Sequence, residues 1–266
     1  MDVRVTTVGS TRFVTNPNDI FIGKSLEVYG EWSHGEVNLL SKLLRPDDNV
    51  IEIGSNIGAH TLFIARDICS SGIVYAFEPR RLLFQMLCAN VALNGLSNVF
   101  AHQKAIGREA GSVKEGPPPT ESMTNLGGYS IGSLQGEGET IEVITLDEMI
   151  ESLKPVALLK ADVEGWERDV LIGSQKLIAR DRPILYVEND RPDLSRDLIV
   201  FIMEMKYDLW WHIVPLFRPD NHAHTRANIF ANIASFNMLC VPHERKITLS
   251  GLQKIEDPEV HPLRKK

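Results

Sequence analysis

The residues best placed to do chemistry are a lysine and several carboxylates at the ends of apolar runs. In Leu158-Leu159-Lys160-Ala161-Asp162 the lysine and the aspartate are two residues apart, which puts both on one face of an extended strand. A second run, 183–187, ends at Glu188-Asn189-Asp190, and a third, 72–77, ends at Glu78. A carboxylate in such a place orients a hydroxyl or takes its proton, and a neighbouring ammonium lowers the pKa of the same oxygen. Asp162 is therefore the candidate orienter or base, with Lys160 and Glu188 in support. The competing reading makes Lys160 and Glu188 a structural ion pair, the usual state of buried charge. Asp162, Glu188 and Asn189 also form a set of hard oxygen donors suited to magnesium, although nothing in the sequence requires a metal there.

These groups need a ligand to act on, and Glu52-Ile53-Gly54-Ser55-Asn56-Ile57-Gly58 supplies a place for one. A β-branched run meets two glycines four residues apart and then an apolar helical pattern through Leu62, Phe63 and Ile64, which is a strand, a tight turn and a helix start. Gly54 and Gly58 let backbone approach a bound group, and a helix starting near Gly58 offers free N–H donors. Twenty residues beyond Gly58 stands Glu78, where an acid in a doubly wound sheet accepts hydrogen bonds from both ribose hydroxyls. Turn and acid suit either a dinucleotide or S-adenosylmethionine. The G-x-G-x-x-G spacing of dinucleotide folds is absent, so the reading is S-adenosylmethionine.

The elements that must carry this site follow from periodicity. Residues 1–48 mix short β-like pieces at 3–6 and 21–22 with a turn at Asn16-Pro17-Asn18-Asp19 and a helix over 35–44, and read as an N-terminal cap over the cofactor mouth. Within the cap, Tyr29-Gly30-Glu31-Trp32 places two aromatics on a loop suited to ligand contact, Tyr29 toward the cofactor and Trp32 toward a substrate; the alternative is that both simply pack on the sheet. Over 49–245 strands and helices alternate. Strands are expected at 49–53, 72–78, 98–102, 156–161, 183–187, 209–216 and 236–241, with a further short one at 141–145 and a helix capped by Thr145 after it. The fold class is α/β, a doubly wound, Rossmann-like sheet of seven strands with an antiparallel edge. Because ligands sit at the carboxyl ends of such strands, Lys104-Ala105 falls where an adenine lies.

Two loops are candidate substrate elements. The glycine-rich segment 107–139, with Asn125 and Tyr129, is either a lid or a plain surface loop, and 217–232 carries His222 and His224, alternative bases if it folds over the pocket. Residues 246–266 read as a solvated C-terminal tail. The 266 residues carry 35 acidic and 28 basic side chains, a formal charge of -7, so nucleic acid is a disfavoured partner. Cys69, Cys88 and Cys240 lack C-x-x-C spacing and read as buried thiols in a reducing compartment. Met1-Asp2-Val3-Arg4 has no hydrophobic signal core and no apolar run reaches membrane-spanning length, which sets a cytoplasmic protein with no membrane segment as the expectation. A homo-oligomer is compatible with the sequence but not indicated by it.

Together these residues resemble the FkbM family of S-adenosylmethionine-dependent O-methyltransferases. The matching pieces are Glu52 to Gly58, Phe77-Glu78-Pro79, Asn94-Gly95 with Asn98-Val99, Thr145-Leu146-Asp147 and, above all, Lys160-Ala161-Asp162-Val163-Glu164-Gly165, over about residues 20–245. The family more often has Asp at position 52 and Ala at position 55; Glu52 and Ser55 are conservative departures within the cofactor turn. The resemblance implies a class I methyltransferase sheet, with Gly54, Asn56, Gly58 and Thr61 around the methionine part, Glu78 at the ribose, Lys104 and Ala105 at the adenine, and Asp162 beside the sulfonium. It also implies methyl transfer to a hydroxyl of a small molecule, sugar or natural-product intermediate. That reaction is an in-line displacement that needs close alignment and a destination for the hydroxyl proton. Some small-molecule O-methyltransferases place a divalent metal on a trio like Asp162, Glu188 and Asn189. A DNA amino-methylase would end the strand before position 162 in an Asp/Asn-Pro-Pro-aromatic motif, and a ribose methylase would carry a lysine after the strand at 183–187; this chain has neither. A nicotinamide oxidoreductase is disfavoured by the glycine spacing, and a non-catalytic cofactor-binding partner by the intact Asp162 and Glu78.

Overall fold

The computed structural model describes residues 3–119, 122–247 and 249–264. The chain begins with an antiparallel hairpin, β1 (Arg4–Val8) and β2 (Thr11–Thr15), followed by two helices, α1 (Ile22–Tyr29) and α2 (His34–Leu43). Gly30, at φ 69°, ends α1 and donates its N–H to Leu26 O, a left-handed stop that costs a glycine nothing. Next come β3 (Val50–Ile53), the short α3 (Thr61–Phe63) prolonged by a π-helical turn at Ile64–Ile68, β4 (Val74–Phe77), α4 (Arg81–Leu93) and β5 (Val99–His102). A small sheet interrupts the alternation, made of β6 (Ala105–Ile106), β7 (Gly111–Glu115) and β8 (Glu139–Ile144). Then follow α5 (Leu146–Met149), β9 (Leu158–Ala161), α6 (Glu167–Ile172), α7 (Gln175–Asp181), β10 (Ile184–Glu188), α8 (Pro192–Glu204), β11 (Tyr207–Pro215), β12 (Ala234–Pro242) and β13 (Gln253–Lys254). Thr145 caps α5 through a reciprocal box with Glu148.

The main sheet has the order β13-β11-β12-β10-β9-β3-β4-β5. Its strands from β5 to β10 run parallel, and β12, β11 and β13 add on antiparallel. Helices cover both faces, so β3, β4 and β9 are buried along their whole length and read as continuous apolar runs. Two residues break those runs. Glu52 pairs with Lys160 in the β3–β9 register, Lys160 pairs with Tyr186 across β9–β10, and all three point to the face covered by α2 and α3. A polar row therefore crosses the centre of the sheet, at the foot of the strand ends where ligands bind.

Four expectations need correction. Among the described residues the main sheet has eight strands, because Gln253 and Lys254 pair with Trp211 and Trp210 on the outer edge of β11, too short a segment to carry a periodic signal. The same segment shows that 246–266 is not a free tail: Ile255 and His261 are buried, and Arg264 Nη2 donates to Pro192 O at 2.7 Å, while Lys265 and Lys266 lie outside the described residues. Residues 21–22, read as a β-like piece, open α1 instead. The segment 107–139 is not all irregular, since β7 pairs with β8 along Gly111–Glu115. The three cysteines are free, two of them buried. Among the described residues no helix is long and apolar enough to cross a membrane.

Candidate active site

A cavity of about 300 Å³ opens at the carboxyl ends of β3, β4, β9 and β10. Its floor is the turn after β3. Gly54 has φ 83°, and a Cβ there would sit 1.8 Å from the Asp162 carbonyl oxygen, so only glycine lets β3 and β9 close up at this point. Gly54 and Ser55 both donate backbone N–H to Phe77 O, at 2.9 and 3.0 Å, which ties the turn to the end of β4. There the buried Glu78 carboxylate accepts from Asn56 N and Arg80 N, both at 2.9 Å. Burial pushes its pKa up to about 6 in spite of the nearby Arg80 and these two donors. Each oxygen keeps a lone pair for a hydroxyl in the cavity.

The polar row forms the back wall. Lys160 Nζ donates to Asp162 Oδ2 at 3.1 Å and lies 3.9 Å from Glu52 Oε1, while Thr61 Oγ1 donates to Glu52 Oε2 at 2.5 Å. Burial opposes the Lys160 charge, but Asp162, Glu36 and Glu52 outweigh it and hold the ammonium above its ordinary value. Asp162 is pulled the other way. Burial would raise it, yet Lys160 and hydrogen bonds from Glu188 and Lys160 keep it below the usual carboxylate range. Glu188 is pushed far above that range by burial and by Asp162, Glu164 and Asp190 around it. The Asp162–Glu188 pair thus shares one proton, which resides on Glu188, and Asp162 stays ionised beside its lysine.

The segment 107–139 closes the cofactor end. Arg80 Nη2 donates to Glu115 Oε1 at 2.8 Å and to Tyr129 O at 2.6 Å, and Glu115 Oε2 accepts from Gly132 N. Thr124 exchanges backbone bonds with Asn18 and Ile20 of the cap, both 3.0 Å, and its hydroxyl meets Tyr129 Oη at 2.8 Å. The other end is walled by Phe21, Trp32 and Glu36 of the cap and by Leu216, Ser235 and Phe236 of the β11–β12 hairpin. The cap is held there by Glu31, which is buried and receives two bonds from Arg218, at 2.8 and 3.2 Å, and one from His222 N at 3.1 Å.

Most residues singled out from sequence meet in this cavity. Glu52, Gly54, Ser55, Asn56, Glu78, Lys104 and Ala105 line one end, Lys160, Asp162, Glu188 and Trp32 the other, and Asn125 and Tyr129 reach in from the closing loop. Six do not line it. Tyr29 is the buried last residue of α1 and donates to Ala227 O at 3.0 Å, so it fastens the loop 217–232 instead of touching a cofactor. Thr61 acts through Glu52, and Gly58 makes room for Leu87 and Leu62. His222 packs edge-on against His34, with ring centroids 4.5 Å apart and its Nδ1 3.3 Å from Gly30 O, and lies with exposed His224 outside the cavity. The trio Asp162, Glu188 and Asn189 does not assemble, because the Asn189 amide turns into the core toward Ser195 Oγ (2.9 Å) and Met238 Sδ (3.2 Å). Oxygens of Glu164, Glu188 and Asp190 instead lie within 4.8 Å of one another, with Arg191 Nη2 on Glu164 Oε2 at 2.7 Å. Sequence reasoning missed Glu36, His60 and Arg80. Glu36 had a signal: it stands four residues before Leu40 on the buried stripe of α2, a carboxylate where an aliphatic is expected.

Comparison with known proteins identifies the family. The Methyltransferase FkbM domain profile matches residues 52–209, more than half of the chain. "Methyltransferase 1" of Beauveria bassiana is 36% identical over 184 residues, 61% of this chain and 68% of that protein. "Hexuronic acid methyltransferase AglP" of Haloferax volcanii is 31% identical over 140 residues, 52% of this chain and 54% of that one. "31-O-demethyl-FK506 methyltransferase FkbM" of Streptomyces tacrolimicus is 32% identical over 160 residues, 49% of this chain and 60% of that one, so the match spans little more than half of these last two proteins. With the glycine turn, Glu78 and the Lys160–Asp162 pair all falling inside the matched span, the chain belongs to the Methyltransferase FkbM domain family.

Proposed function

We propose that the chain is an S-adenosylmethionine-dependent O-methyltransferase acting on a hydroxyl of a small molecule or sugar. The observation that supports it best is the meeting, in one cavity, of the Gly54 turn, the Glu78 carboxylate and an ionised Asp162. The cradle fits the cofactor: a Cβ at position 54 would fill it, and Glu78 offers free lone pairs where a ribose presents its hydroxyls. When bound, S-adenosylmethionine supplies an electrophilic methyl carbon on a sulfonium. Glu78 holds the ribose, Asn56 and Ser55 the turn side, and Lys104-Ala105 the far end. Asp162 accepts the hydrogen bond of the acceptor hydroxyl and aims its oxygen. Lys160 keeps Asp162 charged at neutral pH and fixes its position, and the protonated Glu188 keeps the second oxygen of that carboxylate from turning away. The closed loop at Arg80–Glu115–Tyr129 excludes water.

Calorimetry with S-adenosylmethionine, S-adenosylhomocysteine and NAD tests the reading. Micromolar binding of both sulfur nucleotides, absent for NAD and lost in Glu78→Ala, is the expected result. Binding of NAD alone would overturn it. Binding of the sulfur nucleotides without any release of S-adenosylhomocysteine over a broad acceptor panel would replace it with a non-catalytic partner protein.

A further inference from the structure

Buried polar atoms without a hydrogen-bond partner gather at one end of the cavity. Glu36 is only 2% exposed; its Oε1 accepts from Ser33 Oγ at 2.7 Å, while Oε2 has no partner. Glu188 Oε2 and His60 Nε2, in the same wall, are also without one, as is Asn237 Nδ2, whose residue pairs with Glu188 in the β10–β12 register. The nearby Tyr186 hydroxyl lies 2.8 Å from His212 Nδ1 and also reaches Glu36; accepting from an Nδ1–H, it is free to donate to Glu36, and it leaves the carboxylate with open lone pairs. Among the described residues no such atom belongs to Asn56, Glu78, Arg80 or Lys104 at the other end. Native interiors leave few buried polar atoms unpaired, so a cluster of them on a cavity wall marks where a ligand supplies the partners.

The character of those atoms says what the ligand brings. Glu36 and Glu188 present oxygens, which ask for donors, while Asn237 Nδ2 presents N–H and asks for an acceptor; a hydroxyl answers both. Glu164 and Asp190 line the same end with Asp162; among the described residues Lys160 is the lysine on this part of the wall, and Arg191 behind it holds Glu164 through Nη2 while its Nε has no partner. Negative charge is crowded enough that burial, with Asp162 and Asp190, pushes Glu164 up to about 7. A ligand hydroxyl relieves this arrangement, and a ligand carboxylate adds to the crowding.

We propose that Glu36 is a specificity residue, accepting a hydrogen bond from a second hydroxyl of the acceptor beside the one that is methylated, and that Glu36 together with the ionised Asp162 excludes acidic acceptors. The acceptor class is an uncharged polyol or sugar ring, unlike the hexuronic acid for which the Haloferax volcanii relative is named. This rests on the methyltransferase reading above. A site built to receive a hydroxyl discriminates strongly against a ligand that cannot satisfy its buried groups.

The test is ligand-observed saturation-transfer NMR on the full chain saturated with S-adenosylhomocysteine, using p-nitrophenyl β-D-glucoside and p-nitrophenyl β-D-glucuronide as probes. The glucoside binds about tenfold or more tightly than the glucuronide, and Glu36→Gln, which removes the charge and adds an N–H donor, narrows the gap to about twofold. Equal or tighter binding of the glucuronide by the unmodified protein overturns the proposal, as does an unchanged gap in Glu36→Gln. Failure of both sugars to bind also overturns it, and leaves the cofactor reading to be judged by S-adenosylhomocysteine calorimetry on the same sample. Loss of S-adenosylhomocysteine binding in a folded Glu36→Gln would place Glu36 in the cofactor cradle and sink the idea. Should that variant fail to fold, Glu36→Asp, which draws the carboxylate back from the cavity, carries the same expectation, a narrowed preference.

Discussion

The two ends of the cavity are built on opposite plans. At the cofactor end the protein itself supplies partners: Glu78 is held by Asn56 and Arg80, Arg80 by Glu115 and Tyr129, and the Gly54 and Ser55 amides by Phe77. At the acceptor end buried oxygens of Glu36 and Glu188 are left without partners, and the wall comes from elements distant in sequence. The first end is preorganised by short-range geometry and tolerates little change. The second is held open by long-range ties. Rigid scaffold beside adaptable loops is how one fold serves many substrates.

Substitutions test how sharp that division is. Gly54→Ala forces a methyl against the Asp162 carbonyl at a positive φ, and denaturant melts should show a loss of about 3–5 kcal/mol together with loss of S-adenosylhomocysteine binding. Lys160→Met removes the shared cation of the buried Glu52 and the half-buried Asp162 and should cost about 3 kcal/mol at pH 7 by the same measurement. Arg218→Ala strips the buried Glu31 of its partner; about 2 kcal/mol of stability is lost while S-adenosylhomocysteine affinity stays constant. If that affinity also fell, the two ends would not be separable.

A pH titration makes a finer cut. Glu78, raised to about 6, is mostly protonated at pH 5 and mostly ionised at pH 7.5, and only the ionised form accepts from two hydroxyls without competing donors. S-adenosylhomocysteine should therefore bind about tenfold more weakly at pH 5 than at pH 7.5, a dependence that Glu78→Gln removes. The smallest effect belongs to Lys104→Ala: its pair with Glu142 is largely solvated, and melting should move by less than about 1 kcal/mol.

The same division explains what the sequence made legible. The glycine turn, the acid after β4 and the Lys160–Asp162 face are local patterns, and a period of two or a fixed loop length settles them without knowledge of the rest of the chain. The acceptor end depends on contacts between residues nearly two hundred positions apart, such as Tyr29 with Ala227 and Glu31 with Arg218. Tyr29 looked like a ligand contact because aromatic and glycine neighbours suit both a site and a helix end; the position of Gly30 as a C-terminal stop decides it. Asn189 looked like a metal ligand because strand ends face ligands, but it follows Glu188 and so points to the opposite face, into Ser195 and Met238. β13 escaped because two residues carry no periodicity.

Glu36, Trp32 and the hairpin residues Leu216, Ser235 and Phe236 all lie outside residues 52–209, the span shared with the family, whereas the turn, Glu78, Lys160 and Asp162 lie inside it. The cofactor turn and its acid thus lie inside the matched span, and the cap and hairpin walls of the cavity lie outside it. On the Glu36 proposal, grafting helix α2, with its loop partner 217–232, from one member of the family to another should carry the taste for a substrate across while leaving the methyl donor's seat untouched.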